Sequence, residues 1–300
     1  MSTLARGLWG VLATPFTDDT TLVDERSLRR EVAYQLRCGV AGLVVLGVFG
    51  EAANLTPDER QDVVRIVDDA AGGLPLVVGV TERDTATAAE SALRALDSVH
   101  ESPAVLMVQV NSPQGSVVAD HLAAIHERTG ADIVVQDYPV ISGVTITSAE
   151  ILKAIDGAGF VAAVKSESPP TSAAIAELTA GTDVPVFGGL GGLGLLDELA
   201  AGAAGAMTGF SFPEALRATL TAWDEGAYPR ARETFLPWMP LVNFEAQVKI
   251  GLAIRKASLA VRGIFTSGAV RAPALPMPGA LVPVLRQHLA HVPAGVLGDA

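Results

Sequence analysis

The sequence predicts a (β/α)8 TIM barrel with a helical C-terminal extension, and three observations carry that prediction. Eight short apolar runs recur over residues 1–225, at a spacing of roughly 22 to 34 residues, the size of one strand–helix unit. The runs are apolar without alternation, as parallel strands are when both faces are covered. Beyond residue 225 the alternation stops, and helical stretches punctuated by Pro229, Pro237 and Pro240 follow. A doubly wound open sheet is the competing arrangement, but it rarely uses so many evenly spaced strands.

In chain order the strand runs are Leu8–Ala13, Gly42–Leu46, Leu76–Val80, Val105–Val110, Ile133–Gln136, Val161–Lys165, Val184–Gly188 and Gly205–Thr208. Helix starts between them are signed. Thr56 offers an N-cap, Pro57 the first helical residue and Glu59 the closing partner of a capping box. Thr147 to Glu150 reads as a second box, and Ser168–Pro170 as a further start. Phe244–Val261 is the clearest helical segment of residues 226–300, which read as an extension packed on the barrel rather than a second domain.

Composition narrows the function classes. The formal net charge is -12, with acidic residues spread along the chain. That surface disfavours nucleic acid and anionic membrane, both of which need basic patches. Cys38 is the single cysteine, so no internal disulfide forms. The N-terminus lacks the layout of a signal peptide, and no uncharged run is long enough for a spanning helix. The expectation is a soluble, cytoplasmic protein.

Lysine is scarce, and its placement is uneven. Lys153, Lys249 and Lys256 sit in helix-like, polar-flanked contexts, whereas Lys165 ends the apolar run Phe160–Val164. In a (β/α)8 barrel the chemistry gathers at the C-terminal ends of the strands. A lysine there faces a largely apolar cavity, where burial disfavours the ammonium and frees the amine to attack a carbonyl carbon. The product is an imine, whose cationic nitrogen draws electrons from the neighbouring carbon. The plainer reading is a lysine that reaches solvent or pairs with Glu167.

The motifs around Lys165 resemble the N-acetylneuraminate lyase and dihydrodipicolinate synthase family of Schiff-base lyases over essentially the whole chain. ATPF, residues 13–16, resembles the family's first-strand end. GVFGE, residues 47–51, stands where the family has G-[TS]-T-G-E, and QDYP, residues 136–139, stands at its Y-N-x-P. Lys165 falls at the family's Schiff-base lysine. A narrower likeness, carried by QDYP, VKSESP, GAMTGFSFPE, WMPLVNFE and PMP, is to the branch containing L-2-keto-3-deoxyarabonate dehydratase. The resemblance implies a 2-keto acid substrate, such as pyruvate or a keto-deoxy sugar acid, and a homodimer or homotetramer.

The chain also departs from that family. The proton-relay tyrosine of Y-N-x-P is Gln136, and the hydroxyl residues of G-[TS]-T-G-E are Val48 and Phe49. Both tyrosines of the family's P-Y-Y-N segment are missing from VQVN, residues 108–111. Tyr138 lies two residues past Gln136, displaced by about 6.5 Å along a strand. It either replaces the lost tyrosine or packs. Glu167 is a candidate acid or base, since a carboxylate in an apolar site can have a raised pKa. The backbone of Gly47, Val48, Phe49, Gly50 and Glu51 offers N–H groups for a substrate carboxylate, unless the glycines only permit a tight turn. Gln136 can bond a substrate oxygen or cap its strand. Phe49 favours a substrate with fewer hydroxyls.

Two apparent motifs are weak. GLGGLG, residues 189–194, satisfies a dinucleotide fingerprint but sits in the seventh unit. Gly189, Gly191 and Gly192 either line the distal substrate pocket or let a helix pack closely. The histidines and Cys38 make no metal set. The expectation is therefore no metal and no cofactor beyond the covalent lysine–substrate imine. Three functions stay open: dehydration of a 2-keto-3-deoxy sugar acid, a pyruvate-dependent aldol reaction through the same imine, and a non-catalytic barrel that binds a keto acid.

Overall fold

The computed structural model describes residues 3–293. Eight parallel strands close into a barrel in sequence order, the first pairing with the last. They are β1 (Gly7–Val11), β2 (Gly42–Val45), β3 (Leu76–Val80), β4 (Ala104–Gln109), β5 (Ile133–Asp137), β6 (Val161–Ser166), β7 (Val186–Gly188) and β8 (Gly205–Thr208). Each predicted run falls on one of these strands. Between them stand α1 (Glu25–Arg37), α2 (Pro57–Ala71), α3 (Thr85–Leu96), α4 (Gly115–Thr129), the short α5 (Pro139–Ser142), α6 (Ser148–Ile155), α7 (Thr171–Gly181) and α8 (Leu195–Ala200). α9 (Pro213–Phe235) follows β8 and is kinked at Gly226–Ala227. α10 (Met239–Glu245), α11 (Gly251–Val261) and α12 (Val282–Ala290) complete the extension.

The caps behave largely as the sequence suggests. The Thr56 side chain accepts from Glu59 N while Glu59 accepts from Thr56 N. Thr147 caps α6 through Glu150 N, but Glu150 turns its carboxylate to Gly115 N at 2.5 Å instead of closing a box. The segment Phe244–Val261 is not one helix. It breaks over residues 246–250, where Lys249 takes a left-handed φ of 72°. α11 restarts at Gly251, where a Cβ would collide with the Glu245 carbonyl oxygen.

Two hydrophobic layers hold the barrel. Its interior is filled by Trp9, Val11, Val44, Val77, Met107, Val134, Ala163, Phe187 and Met207. The alternate strand residues, Leu43, Val45, Leu106, Val108, Val135 and Val164 among them, pack outward on the helices. Both faces are thus apolar, which is why the runs show no alternation. Among the described residues no helix is long and apolar enough to cross a membrane.

The interior positions define what reaches the C-terminal end. Gln109 on β4 is level with Gln136 on β5, Gln136 with Lys165 on β6, and Lys165 with Phe187 on β7. In-register neighbours on a parallel sheet share a face. The alignment of β6 depends on a bulge: Ile133 pairs with Val161, but Val134 pairs with Ala163, so Ala162 is skipped. One extra residue reverses which face every later side chain takes. The bulge therefore turns Lys165 into the barrel; without it, Lys165 would face the helices.

Candidate active site

Lys165 and Glu167 sit at the C-terminal end of β6, each 5 % exposed. Lys165 Nζ stands 3.2 Å from Glu167 Oε2. Gln136 Nε2 donates to that same oxygen at 2.7 Å, and Leu190 N donates to Oε1 at 3.4 Å. The carboxylate is thus aimed from two sides beside the amine. The Glu167 backbone is fixed by its N–H, which donates to Asp137 O at 2.8 Å. Asp137 lies behind it, on the outward face of β5. Burial, with the Glu167 charge nearby, pushes the Asp137 carboxyl up to about 6.

Gly189 and Gly191 belong to the same group. A Cβ on Gly189 would collide with Glu167 Oε1, so a bare Cα is what lets the carboxylate sit there. Gly191 has φ 71°, a left-handed value that favours glycine, and its N–H donates to Thr208 Oγ1 at 2.7 Å. Gly192 goes elsewhere: its Cα faces Leu216 and Phe235 in the core. Tyr138 is half-buried at the start of α5. Burial and the Glu167 charge both raise its pKa, while Arg255 opposes them.

The turn after β2 divides into two sides. Gly47 packs on Met107, Val11 and Val44 at the top of the barrel interior. Among the described hydrogen bonds, none begins at the N–H of Val48 or Phe49, so this turn offers two free donors. The Phe49 ring presses on Gly209, where a Cβ would collide with it. Gly50 lends its carbonyl to Thr14 Oγ1 at 2.6 Å. Glu51 does not join the group around Lys165. One oxygen meets Lys256 Nζ at 2.7 Å, and the other accepts from Arg271 N at 2.9 Å. Glu51 anchors the turn from behind, with φ 53°.

Two residues were not singled out by sequence reasoning. Gln109 is buried at the level of Lys165, and its Nε2 has no hydrogen-bond partner. The sequence marks VQVN only by its missing tyrosines; the alternation from Met107 to Gln109 was the available signal. The second is Arg255 on α11, whose Nε stands 3.5 Å from Glu245 Oε2 and whose guanidinium carbon lies 5.6 Å from the Phe49 ring centre. Nothing local marks it, because it reaches the strand ends from the extension. Among the described residues no group of three or more His, Cys, Asp or Glu is arranged to hold a metal ion. A surface cleft between α2 and α3 is lined by other residues, and its Arg60 is already paired with Glu82 at 2.5 Å.

A carboxylate beside a buried amine, at the open end of a (β/α)8 barrel, suits imine chemistry on a carbonyl substrate. The comparisons with known proteins agree. The Dihydrodipicolinate synthetase family matches over residues 4–291. The chain is 31 % identical over 276 residues to an L-2-keto-3-deoxyarabonate dehydratase of Azospirillum brasilense, covering 89 % of this chain and 88 % of that one. It is 31 % identical over 291 residues to a 4-hydroxy-tetrahydrodipicolinate synthase of Corynebacterium aurimucosum, covering 95 % and 93 %. The crystal structure of a dihydrodipicolinate synthase from Rhodopseudomonas palustris superposes with a TM-score of 0.88 at 26 % identity, over 97 % of this chain and 99 % of that one. The chain is an enzyme of the Schiff-base lyase kind and belongs to the dihydrodipicolinate synthetase family.

Proposed function

We propose that this enzyme dehydrates a 2-keto-3-deoxy sugar acid through an imine on Lys165. The observation that carries the reading is the Lys165–Glu167 pair, with the carboxylate aimed by Gln136 and Leu190 N. The substrate carboxylate takes the free N–H groups of Val48 and Phe49. Lys165 gives one proton to Glu167, and its Nζ attacks the C2 carbonyl carbon. A second proton passes from nitrogen to the carbonyl oxygen, and Glu167 returns its proton to that oxygen, which leaves as water to give the iminium. Glu167 then accepts the C3 proton, and the electron pair of that bond moves toward the iminium nitrogen to give an enamine. The enamine pushes its electrons back, the C3–C4 double bond forms, and the C4 hydroxyl departs as water with the proton from Glu167. Water then hydrolyses the imine and returns Lys165. Glu167 ends as it began, so the cycle needs no tyrosine relay and no further cofactor.

The relatives named as synthases favour an aldol reaction as the second reading, since an enamine on Lys165 can attack an aldehyde. Borohydride trapping tests the shared step. Protein is incubated with pyruvate or a 2-keto-3-deoxy sugar acid, reduced, and mapped by peptide mass. An adduct on Lys165 is expected, and its absence from folded protein would sink both readings. Turnover then separates them: a retained carbon chain means dehydration, whereas pyruvate plus an aldehyde means aldol cleavage. Glu167→Gln should still trap pyruvate but lose about 100-fold or more in turnover. Unchanged turnover would remove Glu167 from the proton's path.

A further inference from the structure

Four cations reach inward from the C-terminal extension, and three of them are engaged. Lys256 donates to Glu51 and to Thr14 O. Arg262 donates to Glu214 Oε1 at 2.8 Å and to Tyr34 Oη at 2.7 Å. Arg271 grips both oxygens of Glu59 at 2.7 Å each. Arg255 is different. Its side chain is only 15 % exposed, yet its Nε has no hydrogen-bond partner. Its ionic neighbour Glu245 stands at 3.5 Å and already accepts from Ser211 N and Ser211 Oγ. A buried donor without an acceptor is costly, more so when charged. A purely structural role would have been met by the closed pairing that the other three cations achieve.

The position of Arg255 says what the spare donors face. Nη2 lies over the bare Cα of Gly191, so closely that a Cβ there would collide with it. Gly191 is two residues along the turn from Gly189, which meets Glu167. The guanidinium therefore stands at the same barrel end as Lys165, within the influence of the Glu167 charge and with the Phe49 ring beside it.

We propose that Arg255 recognises the far end of the substrate, and that the substrate is a 2-keto acid carrying a second carboxylate. The proposal rests on the reading of Lys165 as the imine-forming residue. Arg255 Nε and Gln109 Nε2 are unpartnered donors at this end, and a ligand that engages them brings acceptors; the unpartnered oxygens of Asp137 and Ser166 lie on the alternate strand positions to Gln136 and Lys165. A chain of hydroxyls would ask for acceptors as well as donors, and arginine only donates. A carboxylate matches the planar guanidinium fork and its charge. Its head-group counterpart is already served by the Val48 and Phe49 N–H groups, which leaves Arg255 for a second anion. Phe49 and the missing tyrosines thin out polar partners in between, so recognition concentrates at the two ends.

The test uses ligands that differ in one group. 2-Oxoglutarate and 2-oxopentanoate have the same carbon count and differ in a terminal carboxylate against a methyl. Their affinities are measured by titration calorimetry for the wild type, Arg255→Gln and Arg255→Lys, with pyruvate trapping on Lys165 run in parallel. The wild type should bind 2-oxoglutarate about tenfold or more tightly than 2-oxopentanoate. Arg255→Gln should bring the two within about twofold, and Arg255→Lys should leave a reduced preference. Equal affinities in the wild type, or a preference that survives Arg255→Gln, would overturn the proposal. Pyruvate trapping without any diacid preference would leave the Lys165 reading standing and remove this one. An Arg255-dependent preference without trapping would do the reverse. If Arg255→Gln does not fold, as judged by circular dichroism, Arg255→Lys decides: an unreduced preference counts against the proposal.

Discussion

The molecule holds two buried lysine–glutamate pairs, Lys165–Glu167 and Lys256–Glu51, and they differ in how completely they are used. Lys256 is 0 % exposed, bonds Glu51 at 2.7 Å and Thr14 O at 2.8 Å, and lies over the Phe16 ring. The second oxygen of Glu51 is taken by Arg271 N. Burial lowers the Lys256 pKa, and the Glu51 charge opposes it. In Lys165–Glu167 the nitrogen is 3.2 Å from the carboxylate, and the hydrogen bonds to Glu167 come from Gln136 and Leu190 N. The carboxylate is held by others, while the amine is left with capacity to react. The same two residue types thus make a fastener in one place and, in the function proposed above, a reaction centre in the other. What separates them is whether the lysine's partners are exhausted, not how deeply it is buried.

The largest expected effect breaks the reactive pair. Lys165→Ala should abolish borohydride trapping and lower turnover by about a thousandfold or more. Stability should fall as well, because Glu167 is left buried without its cation, although Gln136 and Leu190 N still donate to it. A urea melt beside the activity assay checks both halves. Retained turnover would mean that chemistry runs through another group.

The fastening pair should fail in the opposite sense. Lys256→Met leaves Glu51 charged and buried, which costs about 3–5 kcal/mol of stability. Pyruvate trapping on Lys165 should survive at a temperature where the variant is folded. Adding Glu51→Gln should recover much of the loss, since replacing both members of a buried pair is far cheaper than stranding one. If Lys256→Met also stopped trapping in folded protein, the contrast between the pairs would collapse.

The same contrast explains what could be read from the sequence. The strands were legible to within a few residues because a parallel strand buried on both faces needs a continuous apolar run. The α2 cap was legible because Thr56, Pro57 and Glu59 act on each other locally. Lys165 stood out because a charge ends an apolar run there. Its direction did not, because the Ala162 bulge that aims it is a matter of pairing with β5. Lys256 looked polar-flanked on a helix and is fully buried, since its partners Glu51 and Thr14 come from the other end of the chain. Arg255 was invisible for the same reason: its meaning depends on Gly191 and Phe49. The predicted role of Glu51 in substrate binding follows the motif, but Lys256 and Arg271 occupy both of its oxygens.

Glu198 sharpens the comparison with a buried carboxylate that has no cation. It stands on α8 outside the barrel wall, 1 % exposed, with Oε1 accepting from Thr171 Oγ1 at 2.7 Å and Oε2 unpartnered. Burial, with Glu167 and Asp197 adding to it, pushes its carboxyl up to about 7 from 4.5. The folded state therefore keeps a proton that the unfolded state has already released over this range. Stability from this group is fully present below about 4.5 and is lost as pH rises through about 7. Glu31, pushed up to about 8, and Asp137, at about 6, act in the same direction, whereas His121 and His288, whose pKa values burial lowers, act against them. Glu198→Gln removes one share of that slope. Relative to the wild type, the variant should gain of order 1–3 kcal/mol between pH 5 and pH 8, read from urea midpoints at each pH. Parallel curves would mean that Glu198 is ionised in the fold despite its burial. Spare capacity in the wall would then behave like spare capacity at the strand ends, and partner saturation alone would not tell a reactive site from a structural one.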